Sequence, residues 1–315
     1  MRKAFVKALC GLASADERIV LLTGDLGYMA LEPFRELFPQ RFFNVGVAEQ
    51  NMIGVATGLA EAGFIPYAYS IATFASLRPF EFIRNGPVLH RLPVRIIGMG
   101  TGFTYGHAGP SHHAVEDIAA LRTLPGLTVV IPADSGQAFT AIEQTRSLPG
   151  PVYYGLSKDD KAVVRGLDGR FTLGRIETVR DGADVAIVTM GSIGAEAVAA
   201  AEELDKLAIH ATVAVVSSFN PDPTEDLAAL LSGVKHVISV EAQSISGGLA
   251  SLVALVIASR GLSCRLSPLA VRTSPDGRSG SESDCWRRNG LDRSAIVEQA
   301  ISMLGRSSLF AGASR

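Results

Sequence analysis

Short apolar runs alternate with helical patterns along the first 160 residues of the chain. Six runs rich in Val, Ile, Leu and Phe are typical of buried strands: 19–23, 42–45, 64–70, 94–98, 127–131 and 152–155. Strands that are apolar on both faces and separated by helices favour a parallel sheet. We therefore expect a parallel sheet with helices on both faces in this half of the chain.

The pattern lapses after residue 158 into a charged segment that contains glycines, and it resumes near residue 183. The same criteria then predict further elements: strands at 185–189, 211–216 and 237–241, and helices at 195–204 and 248–260. A stretch rich in Ser, Gly and Asp, residues 273–284, predicts an exposed loop before a last helix at 292–304.

The sequence thus predicts an α/β fold with two domains, each with a mostly parallel sheet covered by helices on both faces. The expected bounds are 1–160 for the first domain, 161–182 for a linker and 183–315 for the second domain.

Composition excludes several classes of protein. Of the 315 residues, 47% are hydrophobic and 19% are charged, which is too apolar for a disordered scaffold. The 29 basic and 31 acidic side chains leave a net charge of −2, so we expect no nucleic-acid partner. The longest apolar stretch, 249–258, has about half of the ~20 residues that span a bilayer, so we expect no membrane segment.

Two features of the sequence indicate a reducing cytoplasm. The first fifteen residues imitate a secretory signal, but Lys7 and Gly11 interrupt the apolar region, which favours an ordinary amphipathic helix. Cys10, Cys264 and Cys285 are odd in number and form no CxxC pair, which argues against a disulfide framework or a zinc site. We therefore expect a cytoplasmic protein.

Loops that follow the predicted strands are the first places to search for chemistry, because open α/β sheets bind ligands at the carboxyl ends of their strands. Four of these loops contain glycines or polar side chains: 23–27, 46–51, 72–74 and 106–113. No GxxxxGK[ST] phosphate loop occurs, and Phe103 replaces the third glycine of a dinucleotide motif. His107, His112, His113 and Asp117 could together hold a metal, but such loop residues are more often hydrogen-bonded or solvated, and we expect no metal site.

Glu49 lies in the segment Val47-Ala48-Glu49-Gln50-Asn51, which opens a helix punctuated by glycines. By itself, a glutamate at a helix start is a favourable charge on the helix dipole. The order and spacing of further segments, however, resemble the pyrimidine-binding domain of the transketolase family: 44–63, 70–74, Arg84-Asn85 and 106–117. The resemblance continues through 128–134, 151–157 and 241–249. The chain is therefore similar to the C-terminal half of a full transketolase or of 1-deoxyxylulose-5-phosphate synthase.

This resemblance implies thiamine diphosphate as the cofactor. Glu49 matches the family glutamate whose carboxyl hydrogen-bonds the pyrimidine ring and so helps to activate the cofactor. Phe74 and Phe80 match aromatic residues that pack on that ring, with ordinary core packing as the alternative for both. Asp25 matches an aspartate near the cofactor. His112 matches a histidine that moves protons and steadies the substrate oxyanion, so we expect it to be catalytic or to contact the substrate.

His107, His113 and Lys158 are further candidates for contacts with a sugar-phosphate-like substrate. The family has an acidic pair where this chain has His107-Ala108, and an arginine where it has Lys158. Lysine meets a phosphate as a point charge but cannot form the bidentate fork of arginine. The resemblance therefore implies a ketose donor and a two-carbon transfer, with a modified acceptor better matched than an ordinary pentose phosphate.

The resemblance also implies a partner, because family cofactor sites lie between a pyrimidine domain and a diphosphate domain that has no counterpart in this sequence. Gly24-Asp25 resembles the start of the motif that holds magnesium diphosphate, but Leu26 replaces the next glycine. We expect a split transketolase: a large subunit that holds Mg²⁺ and the diphosphate, this small subunit with Glu49, and an α2β2 assembly.

Two other functions stay open at this point. A β subunit of a 2-oxoacid dehydrogenase decarboxylase shares the domain order and the glutamate, although the segment 109–113, Gly-Pro-Ser-His-His, is more similar to transketolase. A non-catalytic partner subunit is suggested by Ala108 and Lys158, whereas the presence of Glu49, Phe74 and His112 argues against a decayed site.

Overall fold

Two mostly parallel sheets organise the computed structural model, which describes residues 1–272 and 276–306. The strands are β1 (Ile19–Thr23), β2 (Phe42–Asn44), β3 (Ile65–Ile71), β4 (Arg95–Met99), β5 (Thr128–Val130), β6 (Val152–Leu156), β7 (Ile176–Arg180), β8 (Val185–Thr189), β9 (Ala211–Val216), β10 (Ser218–Phe219), β11 (His236–Ser244) and β12 (Arg265–Val271). The helices are α1 (Arg2–Ala15), α2 (Glu32–Leu37), α3 (Glu49–Glu61), α4 (Ala72–Ser76), α5 (Phe80–Ile83), α6 (Asp117–Leu121), α7 (Ser135–Thr145), α8 (Gly194–Asp205), α9 (Thr224–Ser232), α10 (Leu249–Arg260), α11 (Glu282–Arg288) and α12 (Arg293–Met303). The predicted α/β class is confirmed.

The first sheet has the strand order β10-β5-β6-β4-β3-β1-β2. Its neighbouring strands pair in parallel except for β10, which runs antiparallel to β5. Ile19 and Leu21 of β1 join an apolar cluster with α1 and α7, whereas Val20 and Leu22 join a second cluster with α3. Helices thus cover both faces of the sheet, which accounts for the uninterrupted apolar runs in the sequence.

The second sheet has the order β12-β11-β8-β9-β7, and β7 is antiparallel to β9. Val185 and Ile187 of β8 face a cluster formed with α8 and α12. Ala186 and Val188 face the opposite side, where their cluster also contains residues of α3 and of the first sheet. One face of the second sheet therefore shares a core with the first sheet.

The short strand β10 ties the two sheets together. It follows β9 directly in the chain, yet it pairs with β5 of the first sheet, with Phe219 opposite Val129. The carbonyl of Ser217 accepts a hydrogen bond from the backbone N–H of Ile131 at 2.8 Å. The edge of the first sheet is therefore completed by a segment from the second half of the chain.

Besides the two-residue β10, two strands were not predicted from the sequence. Strand β7 lies inside the segment expected to be a linker, 161–182, and β12 follows α10. Both are edge strands with many half-buried positions, so they lack the apolar runs of the central strands. The bounds proposed for the two domains stay a prediction.

The exposed loop expected at 273–284 is wrong for its last residues, because α11 begins at Glu282. Ser281 forms a capping box with Asp284, since its hydroxyl accepts from the Asp284 N–H at 3.1 Å while the aspartate accepts in return. The Ser and Asp residues at the end of this stretch therefore belong to the capped start of a helix and not to a loop. Residues 273–275 lie outside the described residues.

Within the described ranges, no helix combines the length and the apolar character needed to cross a bilayer. In the same parts of the chain, no three His, Cys, Asp or Glu side chains gather as a set of metal ligands.

Candidate active site

Glu49 begins α3 and lies against the carboxyl ends of β1 and β3. A turn at Gly46, whose φ of 76° favours glycine, leads from β2 into this helix. Glu49 is 2% exposed, and its Oε1 accepts a hydrogen bond from Ser70 Oγ at 3.1 Å. Gly24, the residue after β1, lies next to the same carboxyl group: a Cβ added to Gly24 would lie 3.7 Å from Glu49 Oε1. The carboxyl group is therefore buried at the edge where parallel sheets bind ligands.

The second oxygen of Glu49 pairs with Arg78. Arg78 Nη1 lies 3.0 Å from Glu49 Oε2, although 45% of the arginine side chain is exposed. The guanidinium carbon also lies 3.9 Å from the centroid of the Phe74 ring, in a cation–π contact. This ion pair offsets part of the cost of burying the carboxylate.

His112 reaches the same place from the loop that follows β4. Its ring meets Phe74 edge-on, with centroids 5.1 Å apart and planes at 65°. Ser111 Oγ lies 2.9 Å from His112 Nδ1. Glu49, Phe74 and His112, which the sequence assigns to one site, are thus brought together from α3, α4 and a loop.

Tyr105 extends the site towards the loop after β6. Its ring centroid lies 6.2 Å from that of His112, and Lys158 Nζ lies 5.0 Å from the centroid of Tyr105. Burial raises the pKa of the Tyr105 phenol. An added Cβ on Gly100 would lie 2.2 Å from this ring, so glycine is needed there. We call the following residues the cation–aromatic row: Glu49, Arg78, Phe74, His112, Tyr105 and Lys158.

Asp25 follows Gly24, which lies next to Glu49, but its carboxylate makes its hydrogen bonds outside the row. It accepts hydrogen bonds from Asn44 Nδ2 at 2.9 Å and from the Tyr28 hydroxyl at 3.0 Å. These hydrogen bonds, the one from Asn44 first, lower the pKa of Asp25. Its role near the cofactor stays a prediction.

Phe80, His107 and His113 make no described hydrogen bond, ion pair or ring contact with the row. Phe80 packs against the apolar cluster that contains α3 residues, which matches the core alternative. His107 is exposed in the turn 106–108. His113 is buried with its ring 5.1 Å from that of Phe103, and this burial lowers its pKa. Their roles in binding also stay predictions.

Sequence reasoning gave no role to Ser70, Arg78 or Tyr105, although all three complete the site. A signal for Arg78 was present, since it follows Phe74 by four residues and side chains at that spacing meet on a helix. Ser70 and Tyr105 carry no comparable signal, because their contacts join segments that are distant in the chain.

Comparison with known families decides the relationship of this chain. Residues 1–161 match the transketolase pyrimidine-binding domain, and residues 174–296 match the transketolase C-terminal domain. The chain belongs to the transketolase family. Both matches agree with the order of the two sheets.

Relatives in the transketolase family match nearly the whole chain. It is 36% identical over 96% of its length to a putative transketolase C-terminal section of Methanocaldococcus jannaschii, and covers 95% of that protein. It is 32% identical over 87% of its length to one of the subunits of the apulose-4-phosphate transketolase of Actinobacillus succinogenes, and covers 88% of it. A solved structure described as a split gene transketolase, inactive β4 tetramer, superposes with a TM-score of 0.88 at 34% identity, with 96% of this chain and 98% of that chain covered.

Membership of the transketolase family implies thiamine diphosphate as the cofactor, and the residues of the row fit its pyrimidine ring. Arg78 bridges a buried carboxyl group, that of Glu49, and the face of an aromatic ring, Phe74. The guanidinium of Arg78, itself planar and a hydrogen-bond donor, already satisfies both groups in this structure. A planar heterocycle with a ring nitrogen facing Glu49 fits the same position, because it can hydrogen-bond the carboxyl group and stack on Phe74.

Proposed function

We propose that this chain is the small subunit of a split, thiamine diphosphate-dependent transketolase. It transfers a two-carbon ketol unit from a ketose to an aldehyde or related acceptor and is active only with a partner subunit. The observation that carries the proposal is the buried carboxyl group of Glu49, which Arg78 links to the face of Phe74, with the His112 ring 5.1 Å from the ring of Phe74.

Each residue of the site has a role in this proposal. When bound, thiamine diphosphate supplies the nucleophile that takes up the two-carbon unit. Glu49 holds a proton between its carboxyl group and the pyrimidine ring, and its burial keeps water from competing for that hydrogen bond. Phe74 provides an apolar face, and His112 exchanges protons with the substrate and stabilises the developing oxyanion.

The partner in this proposal holds the diphosphate and Mg²⁺. The relatives named as a subunit and as a C-terminal section support a division of the enzyme between two polypeptides. An α2β2 heterotetramer is the proposed assembly, because a twofold repeat of large and small subunits closes symmetrically.

The proposed substrates are sugar phosphates or similar anionic ketoses of carbohydrate metabolism. Lys158 is exposed beside Tyr105, and His107 is exposed five residues before His112; in this proposal their side chains bind the anionic end of the substrate. We place the enzyme in the cytoplasm on the strength of its cysteine usage.

Binding of the cofactor to the separate and mixed subunits tests the proposal. The large subunit is first identified by co-purification with the full chain. Isothermal titration with thiamine diphosphate and Mg²⁺ is then carried out on each subunit and on the mixture. We expect weak binding by the separate subunits, tight binding by the mixture, and ketose-phosphate turnover by the mixture alone. Tight Mg²⁺-dependent binding by this chain alone would contradict the proposed division of the site.

The same mixture distinguishes the rival reaction. A 2-oxoacid dehydrogenase subunit would use pyruvate-like acids and lipoamide, whereas the proposed enzyme uses ketose phosphates. The matched domains and relatives carry transketolase names, which favours the ketose reaction. Turnover of 2-oxoacids without turnover of any ketose would overturn this choice.

A further inference from the structure

Arg78 makes the two contacts that the site offers to a pyrimidine ring. Its Nη1 donates to Glu49 Oε2 at 3.0 Å, and its guanidinium carbon lies 3.9 Å from the centroid of Phe74. The same carboxyl group and the same aromatic ring are the ones assigned above to the cofactor. A guanidinium and an aminopyrimidine ring therefore compete for one position.

The competition follows from the shared shape and chemistry of the two groups. A guanidinium is planar and delocalised, stacks on aromatic rings, and donates hydrogen bonds to carboxylates. An aminopyrimidine is also planar and stacks on aromatic rings, and it meets a carboxyl group through a proton held between a ring nitrogen and a carboxyl oxygen. We propose that Arg78 is a placeholder for the pyrimidine ring and must leave Glu49 before the cofactor binds. This inference rests on the function proposed above.

The burial of the pair is one-sided, which allows the arginine to leave. Glu49 is 2% exposed, whereas Arg78 is 45% exposed, so the guanidinium can move into solvent while the carboxyl group stays in place. Arg78 lies just after α4, and no described hydrogen bond other than the one to Glu49 holds its guanidinium.

The placeholder has two effects of opposite sign. In the free subunit, Arg78 neutralises a carboxylate that would otherwise be buried without a partner, which stabilises the fold. In the assembled enzyme, the paired state lowers the apparent affinity for the cofactor, because only molecules with Arg78 displaced are competent to bind. A residue that merely supports the fold would not improve cofactor binding when removed.

The test compares wild type with Arg78→Met and Arg78→Lys in the complex with the large subunit. Arg78→Met keeps an apolar stem but loses the charge and the planar group; we expect its Kd for thiamine diphosphate to fall about tenfold by isothermal titration. The melting temperature of the free Arg78→Met subunit should fall by about 2–4 °C. Arg78→Lys keeps the charge without the planar stack, so it folds more securely and should lower Kd about two- to threefold. Arg18→Met removes an exposed pair with Asp16 and is the control, with Kd unchanged.

The outcomes separate this inference from the proposed function. If wild-type complex binds no thiamine diphosphate, the proposed function fails and the placeholder fails with it. If wild type binds but Kd is unchanged or raised in both Arg78 variants, the placeholder alone is overturned. A structure of the cofactor-loaded complex with Arg78 Nη1 still within hydrogen-bond distance of Glu49 would also overturn it, whereas a displaced guanidinium supports it.

Discussion

Glu49 keeps a charged or proton-sharing group in a position where most side chains would be apolar. It can do so because Ser70 donates to one carboxyl oxygen and Arg78 to the other. Phe74 then borders the same position with an aromatic face through its contact with Arg78. At the scale of single residues, the site depends on satisfying one buried carboxyl group through Ser70 on one side and the half-exposed Arg78 on the other.

Replacement of Glu49 by Gln tests the proposed proton-sharing role. Glutamine has the same shape and can still accept from Ser70, but it cannot share a proton with the pyrimidine ring. We expect turnover of the assembled enzyme to fall at least ~10²-fold, within the span usual for a positioned proton-transfer group. Steady-state assay of a ketose phosphate measures the effect. Glu61→Gln, at the exposed end of the same helix, is the control, and near-native turnover of Glu49→Gln would reject the assignment.

The sequence located Glu49, Phe74 and His112 because a resemblance in order and spacing points to each of them. Their meeting in space confirms that these segments converge, while their chemical roles stay predictions. Arg78 was missed because its spacing from Phe74 is only a local signal, and its role depends on the carboxyl group of Glu49, which is distant in the chain. Phe80, in another matching position, packs partly buried against an apolar cluster, and its role at the cofactor stays a prediction.

Among the elements, β4 and the end of α7 are joined through one buried cation, Arg95. Arg95 of β4 is fully buried, and its guanidinium donates to the carbonyls of Arg146, Leu148 and Gly150, just beyond the end of α7. These carbonyls follow the last turn of a helix, where a positive charge is favourable. Arg95 therefore fixes the approach of α7 to the sheet.

Arg95→Met should destabilise the fold by about 2 to 4 kcal/mol. The methionine retains apolar volume but cannot donate to the three part-buried carbonyls, so three hydrogen bonds from a charged donor are lost. Urea unfolding followed by circular dichroism measures the change. Arg146→Met is the matched control, because that guanidinium is exposed and pairs with Glu143, an arrangement worth about 0 to 1 kcal/mol. Equal effects in the two variants would contradict the role given to Arg95.

Strands and helices could be predicted where their burial produces a regular pattern of apolar residues in the sequence. The central strands have apolar residues on both faces, and most were found within one residue of their bounds, as β8 (Val185–Thr189) shows. β11 runs three residues past its predicted end at 241. β7 (Ile176–Arg180) has only one fully buried residue, so an alternating or continuous apolar pattern was lacking. Its place in the sheet is decided by pairing with β9, which local sequence does not encode.

At the scale of the whole molecule, Glu282 braces the loop of the candidate site against the second sheet. It accepts from Thr104, which precedes Tyr105 in the loop after β4, and its carboxyl lies 3.5 Å from Ser192 Oγ after β8. Burial, and to a smaller extent the negative charge of Asp159, raises the pKa of Glu282 to about 7. The two halves of the chain are therefore coupled through a carboxyl group that titrates near neutrality.

This pKa gives a signed prediction for stability. In the unfolded chain a glutamate has a pKa of about 4.3, so between about pH 4.5 and about pH 7 the folded chain retains a proton that the unfolded chain has released. Stability contributed through Glu282 is therefore full below that window and falls as pH rises through it. Glu282→Gln removes the cost of ionisation while Thr104 and Ser192 keep a partner.

We expect Glu282→Gln to match wild type near pH 4.5 and to be more stable than wild type at pH 8 by on the order of 1 to 3 kcal/mol. Urea unfolding at both pH values measures the difference, in which the other buried carboxyl groups cancel because both proteins contain them. Glu298→Gln, on the exposed side of α12, is the control. Parallel stability curves for Glu282→Gln and wild type across the window would contradict the assignment.

The two-residue strand β10 restricts how chains of this family can be recombined. A chimera that joins residues 1–160 of this chain to the second half of a relative would import a foreign edge strand onto β5 and a foreign partner for Ile131. The fit of such a hybrid would then depend on Ser217 to Phe219 and the surfaces beside them as much as on the crossover point. The two halves are joined by the chain and also by the hydrogen bonds of the first sheet, which contains strands from both halves.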